Sequence, residues 1–245
     1  MNINDIVKKV TEEVCLQMDA AKADVQKDGN TELAGHIEHS LLNPDMTRDK
    51  IIKECALAKQ HRFANVCVTP YLVSEAAQAL RMCNVGVCAP VGFPHGAAST
   101  AAKICEIKEC VANGATELDV ALNIVAIKSG EFDEARRDLK AMVEAAGFGM
   151  KVKAIFEQSL LTDEEKRKTL QMIQDVGPAY VKISNALSGK AACVEDVAFV
   201  RGIVGNAVRI KIDGGIKTAG KAREILSSGA DRIGCSASVA IVSET

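Results

Sequence analysis

The sequence lacks any apolar run of about 18 residues, so no segment is expected to span a membrane. It lacks an excess of either charge. Thirty lysines and arginines face 32 aspartates and glutamates, for a formal net charge of −2. That leaves no electrostatic footprint for nucleic acid or an anionic lipid surface. It lacks a signal-peptide core, since the N-terminus Met1-Asn-Ile-Asn-Asp-Ile-Val-Lys-Lys9 is amphipathic instead. No Cys-x-x-Cys pair occurs among the nine cysteines, at positions 15, 55, 67, 83, 88, 105, 110, 193 and 235. An odd, scattered set is expected to be reduced thiols of a cytoplasmic protein, most of them small core residues. The four histidines are dispersed, and His36 and His39 lack a third nearby ligand, so no metal and no cofactor are expected. No strand is followed by Gly-x-Gly-x-x-Gly, which disfavours an open dinucleotide-binding sheet.

What is present is regular alternation. The chain has 245 residues, 48% of them hydrophobic, enough for one large α/β barrel or two small domains with a sizeable core. Residues 2–27 predict one helix with Ile3, Ile6, Val7, Val10, Val14 and Met18 on its apolar stripe, stopped by Gly29-Asn30. Beyond it, short strands are predicted at 36–39, 63–68, 85–91 and 116–122, then at 150–156, around Lys182, at 208–213 and at 231–236. Helices fall between them. Thr47 caps one, Pro70 sits in the first turn of another, and Thr162-Asp-Glu-Glu165 is a capping box. There is no long linker, no low-complexity segment and no break in composition. Eight strand–helix units imply a parallel sheet with right-handed crossovers. The predicted fold is therefore α/β, a closed (β/α)8 TIM barrel over 31–245 with an N-terminal helical extension over 1–30.

Four successive strands each carry an ionisable residue: Asp119, Lys153, Lys182 and Lys211. Four strands with one solvated face each would suit an antiparallel sheet. Barrel closure removes that reading. Leu118, Val120 and Leu122, Val152, Ala154 and Phe156, Val181 and Ile183, and Ile210 and Ile212 must cover the helices, so the four charges point to the axis. They are expected toward the C-terminal halves of their strands, where barrel active sites are built. An ammonium is no nucleophile at neutral pH. Desolvation and a neighbouring cation depress its pKa and release an amine, which attacks a carbonyl to give a Schiff base. The protonated imine is an electron sink, so a neighbouring carbon–carbon bond can break or form without a metal. A carboxylate such as Asp119 can move the protons.

With those residues in place, the sequence resembles the deoxyribose-phosphate aldolase family. The resemblance is carried by Ile37-Glu-His-Ser-Leu-Leu42, Val66-Cys-Val-Thr-Pro70, Gly92-Phe-Pro-His-Gly96, Glu117-Leu-Asp119, Val152-Lys-Ala-Ile-Phe-Glu157, Val181-Lys-Ile-Ser-Asn185 and Ile210-Lys-Ile-Asp-Gly-Gly-Ile-Lys217. It runs from about 35 to 241 in the family's order. It implies Lys182 as the Schiff-base lysine, Lys211 as the neighbour that lowers its pKa, and Asp119 as proton shuttle. Lys153 is implied in the supporting hydrogen-bond network. Lys153, Glu38, Cys67, Ser184 and Asp213 are the expected substrate-binding residues. Gly214, Gly215, Lys217, Gly234 and Ser236 are the expected phosphate-binding ones. Cys67 also admits a plain core reading, and His95 that of a surface loop residue.

The sequence departs from the family pattern at one end of the site. Ile183-Ser-Asn-Ala186 replaces Thr-Ser-Thr-Gly, and Ile212-Asp213 replaces Ala-Ser. Lys217 replaces an arginine, Gly234-Cys-Ser-Ala237 keeps one of two serines, and Glu38 replaces an aspartate. All but the last fall where the family holds the substrate phosphate. The implied function is a metal-independent class I aldolase that reversibly cleaves 2-deoxy-D-ribose 5-phosphate to acetaldehyde and D-glyceraldehyde 3-phosphate. The alternatives are the same imine chemistry on an unphosphorylated or differently charged sugar, and a barrel without turnover. Partners are then a small aldehyde and a sugar-phosphate-like substrate, with no nucleic acid and no membrane; homo-oligomerisation is left open.

Overall fold

Eight short strands alternate with helices along the chain and close into one parallel barrel in sequence order, with β8 returning to β1. A computed structural model describes residues 29–185 and 187–244. The helix predicted over 2–27, most of the 1–30 extension and Ala186 lie outside the described residues. The strands are β1 (Ile37–Leu41), β2 (Asn65–Val68), β3 (Gly86–Val91), β4 (Glu117–Ala121), β5 (Lys151–Glu157), β6 (Tyr180–Ser184), β7 (Arg209–Asp213) and β8 (Arg232–Cys235). Their outward residues, among them Leu118, Val120, Val152, Ala154, Phe156, Val181, Ile183, Ile210 and Ile212, join the helices in one hydrophobic core around the barrel.

Helix starts follow local chemistry. Thr47, Ser99 and Thr218 each accept a hydrogen bond from the third residue of the helix they precede. Thr162 and Glu165 form the reciprocal capping box, satisfying two donors that would otherwise lack partners. Three details differ from the sequence reading. Gly29 and Asn30, read as a helix stop, form the first turn of a helix, Gly29–Ala34; a punctuating pair marks an end and a start alike. Pro70 opens a separate 3-10 turn, Pro70–Leu72, ahead of the helix Val73–Ala79. A five-residue helix, Ile124–Lys128, follows β4 under an Asn123 cap, too short to show a 3.6-residue period.

The register sets the depth of each charge. Asp119 pairs with Lys153 across β4 and β5, and Lys182 pairs with Lys211 across β6 and β7. Lys153 pairs with Tyr180, two residues below Lys182. Lys153 therefore lies one inward-facing layer deeper than Lys182. The expected placement in C-terminal strand halves is corrected here. Asp119, Lys182 and Lys211 occupy the middle of five-residue strands, and Lys153 the N-terminal half of a seven-residue one. The stagger of a closed barrel, not position within each strand, decides which charge reaches the mouth.

The loop after β3 leans over that mouth, and its shape depends on Gly96. At φ +64°, a Cβ there would stand 1.8 Å from the Leu122 carbonyl oxygen. Lys103 holds the loop from below. It is fully buried, 2.5 Å from Asp138, and donates to the Gly96 carbonyl at 3.0 Å.

Candidate active site

Asp119 is the hub of the barrel interior. Its Oδ2 accepts from Lys182 Nζ at 2.8 Å and from Lys211 Nζ at 2.7 Å, and its Oδ1 accepts from Lys153 Nζ at 2.8 Å. Lys211 also pairs with Glu38, and Lys153 lies 3.1 Å from Glu38 and 2.9 Å from Glu117. Lys182 has a second carboxylate, Asp213, at 2.7 Å. Asp119, Glu38, Lys153 and Lys211 are wholly buried, where each charge is tenable only because it is paired.

Burial raises the Asp119 pKa, but Lys153, Lys182 and Lys211 outweigh it and hold the carboxyl well below the usual range. Burial likewise raises Glu38, and Lys153 and Lys211 bring it down to about 2. For the lysines, burial favours the neutral amine. In Lys182 it is overcome by Asp119 and Asp213, against the opposing push of Lys211, and the pKa ends above the ordinary lysine range. Lys211 does lower Lys182 as expected, but in the resting site the two carboxylates win. Lys182 is thus held as an ammonium between Asp119 and Asp213.

These shifts fix a pH dependence of stability. Glu38 and Asp119 have depressed folded-state pKa values, so their contribution is complete above about 4.5 and is lost as pH falls, that of Glu38 toward about 2. Glu38 alone carries on the order of 3 kcal/mol. Lys153 and Lys211 are raised, so their contribution is complete below about 10.5 and is lost as pH rises beyond it. Thermal melts are expected to show a plateau between these limits and a steep acid decline below pH 4.5. A melting temperature still flat at pH 3 would contradict the pairing.

A cavity of about 490 Å³ opens above this layer, on the side of the strands' C-terminal ends. Lys182, Ser184 and Asp213 line it, as do all five residues expected at the phosphate: Gly214, Gly215, Lys217, Gly234 and Ser236. Glu38, Cys67, Lys153, Asp119 and Lys211 do not line it. The first three, expected to touch substrate, are buried in the layer below. Cys67 faces the axis there: its sulfur lies within 4.8 Å of ligand atoms of Glu38, Cys88 and Asp119. His95 is exposed and is not part of the lining. Asp213 turns inward to Lys182.

Several site residues were not singled out from the sequence. Phe93 lines the cavity with its ring centroid 5.9 Å from Lys182 Nζ; its place in the Gly92–Gly96 loop was the available signal. Glu117 stands two residues before Asp119 and so shares its face. Cys88 donates to Asp119 Oδ1 at 3.1 Å, and burial pushes its thiol well up. Glu157 accepts from Ser159 at 2.6 Å and from Ser184 at 3.0 Å, orienting a hydroxyl at the cavity edge. Lys190 and Cys235 also line the cavity.

Glu38, Cys67, Cys88 and Asp119 have the donor types of a metal site. Here Lys153 and Lys211 already supply two cationic charges to the same carboxylates. A divalent ion would add like charge beside them, and the raised Cys88 thiol is a poor ligand. Activity is accordingly expected to survive EDTA; loss in chelator with recovery on adding zinc would contradict this.

A closed (β/α)8 barrel whose mouth holds a lysine between carboxylates is the architecture of an imine-forming aldolase. No protein-family model matches the chain. The deoxyribose-phosphate aldolase of Staphylococcus carnosus is 43% identical over 209 residues, 85% of this chain and 94% of that protein. That of Desulfitobacterium hafniense is 42% identical over 211 residues, 86% and 97% respectively. The solved deoxyribose phosphate aldolase of Aeropyrum pernix, described as tetrameric, superposes with a TM-score of 0.80 at 26% identity, over 87% of this chain and 90% of that one. The chain belongs to the deoxyribose-phosphate aldolase family and is a lyase of the class I aldolase type.

Proposed function

We propose that the enzyme reversibly cleaves 2-deoxy-D-ribose 5-phosphate to acetaldehyde and D-glyceraldehyde 3-phosphate through an imine on Lys182. The observation that carries this reading is the position of Lys182, the lysine that is both held by carboxylates and open to the cavity. The Lys182 amine adds to C1 of the open-chain sugar and water leaves, forming an iminium. Loss of the proton from the C3 hydroxyl then lets the C2–C3 bond break. Its electrons move onto C2 and into the iminium, giving an enamine and releasing glyceraldehyde 3-phosphate. Protonation of C2 and hydrolysis free acetaldehyde. Asp119 holds Lys182 and Lys211 in place and keeps a fixed negative charge beneath the cationic imine, while Lys153 and Glu38 hold Asp119 from below. The exposed end of the cavity suits the phosphate. Gly214 and Gly215, at φ +111° and +67°, turn the backbone there, and Lys190 and Lys217 flank it.

Release of acetaldehyde from deoxyribose 5-phosphate, blocked by borohydride added with substrate, tests this reading. No release, with no inactivation by borohydride, would refute it. Asp213 supports a second reading, with the same chemistry on an unphosphorylated sugar, since a carboxylate beside this end opposes a phosphate. The two diverge at Lys217. Lys217→Ala is expected to raise the Michaelis constant for deoxyribose 5-phosphate about tenfold or more, the worth of one charge-assisted hydrogen bond, and to leave deoxyribose unaffected. Equal effects on both sugars would favour the second reading. A cytoplasmic location fits the free state of all eight cysteines among the described residues, and no helix among those residues is long and apolar enough to cross a membrane. Assembly with copies of itself is part of the same proposal.

A further inference from the structure

Asp213 stands where the family pattern has a serine, and it touches the nucleophile. Its Oδ2 lies 2.7 Å from Lys182 Nζ, the same reach as Asp119 on the other side. The two carboxylates differ in what else they do. Both oxygens of Asp119 are taken, by Lys153 and Cys88 on one and by Lys182 and Lys211 on the other. Three ammoniums hold it ionised, so it is a poor proton acceptor. The Asp213 Oδ1 is buried without a hydrogen-bond partner, 3.7 Å from Lys211. The side chain also lines the cavity, so it reaches both Lys182 and whatever bonds to it. The β7–β8 register sets Asp213 opposite Gly234. A Cβ on Gly234 would lie 2.1 Å from Oδ1, so the carboxylate occupies the space that this glycine leaves.

We propose that Asp213 is the acid–base residue of imine formation: it takes the proton that Lys182 must lose and returns it to the departing hydroxyl. The inference rests on Lys182 being the imine lysine. Asp213 accepts one proton from the ammonium, leaving a neutral amine beside a neutral acid. The amine forms its bond to the aldehyde carbon, the C=O π bond breaks, and the alkoxide takes the proton back from Asp213. The carboxylate then accepts a second proton from the nitrogen of this carbinolamine. It delivers that proton to the hydroxyl, which leaves as water as the nitrogen lone pair closes the C=N bond. Asp213 ends ionised beside the iminium cation, with charge and atoms balanced. The stored ammonium is then a consequence of the acceptor's own charge. The titratable groups facing this pair are Lys211 on β7, Asp119 on β4 behind Lys182, Cys67 on β2 and Cys235 on β8, with Lys190 and Lys217 across the cavity.

Acetaldehyde is the probe, because it carries no phosphate and so is indifferent to charge at the phosphate end. The rate of Lys182 alkylation by acetaldehyde and cyanoborohydride is measured by mass spectrometry from pH 6 to 9 for wild type, Asp213→Asn and Asp213→Ser. Each variant is first checked for a native melting transition; the serine variant carries the family's residue and is the safeguard for folding. At neutral pH both variants are expected to react about a hundredfold more slowly than wild type, a typical general acid–base contribution. Their rates should climb steeply with pH while that of wild type stays nearly level. If both react as fast as wild type, or faster, with an unchanged pH profile, Asp213 is only a clamp on the ammonium and the inference is overturned. Absence of any adduct on wild-type Lys182 would instead remove the imine reading itself, and this inference with it.

Discussion

Replacing Lys182 with alanine is expected to abolish turnover, lowering kcat by at least about four orders of magnitude. Covalent catalysis replaces one difficult step by two easier ones, and every later step runs through the C=N bond. Neither of the other lysines in the barrel interior can take over. Lys211 and Lys153 are fully buried beneath the cavity, each tied to at least two carboxylates. The fold should survive, because Lys182 borders the cavity and its loss admits water to Asp119 and Asp213. Steady-state assay of a variant with a normal circular dichroism spectrum checks this; activity within tenfold of wild type would mean that another group forms the imine.

The second large effect is expected from Asp119→Asn, on stability as much as on rate. The substitution keeps the shape and removes the charge that three ammoniums share. Leaving buried ions without their partner costs about 3–5 kcal/mol, on the order of 10 °C in melting temperature for a domain of this size. Glu38, Glu117 and Asp213 remain as partners, but none of them pairs with all three lysines, so the three ammoniums are left only partly compensated around a neutral amide. Lys153 and Lys211 then lose their main stabilising charge and deprotonate more easily, which should bring the alkaline decline in stability to lower pH. Turnover is expected to fall at least about a hundredfold, since Lys182 loses the anchor that sets its direction. A variant that melts like wild type at both neutral and alkaline pH would show that the network is held by its other members.

Much of this was legible because a barrel makes two periodicities agree. The alternation in Val181-Lys-Ile and Ile210-Lys-Ile, combined with eight strand–helix units, sends Lys182 and Lys211 to the axis without any coordinate. Stagger was not legible. Lys153 was implied both in the supporting network and at the substrate; the register with Tyr180 sets it a layer deeper than Lys182, where it supports Asp119 and does not line the cavity. The pairing of Asp213 was not legible either. It depends on the position of β6 beside β7, which brings Lys182 within reach of Asp213. The same holds for the protonation of Lys182. A neighbouring lysine is visible in the motif, but two carboxylates on opposite sides are visible only once β4, β6 and β7 are brought together.

The most direct test is to find which lysine carries the trapped intermediate. The enzyme is incubated with deoxyribose 5-phosphate, reduced with borohydride and digested, and the modified peptide is sequenced by mass spectrometry. An alkyl group on Lys182 alone, absent from protein reduced without substrate, is the predicted result. Modification at Lys211 or Lys153, or turnover that continues with no lysine modified, would contradict it.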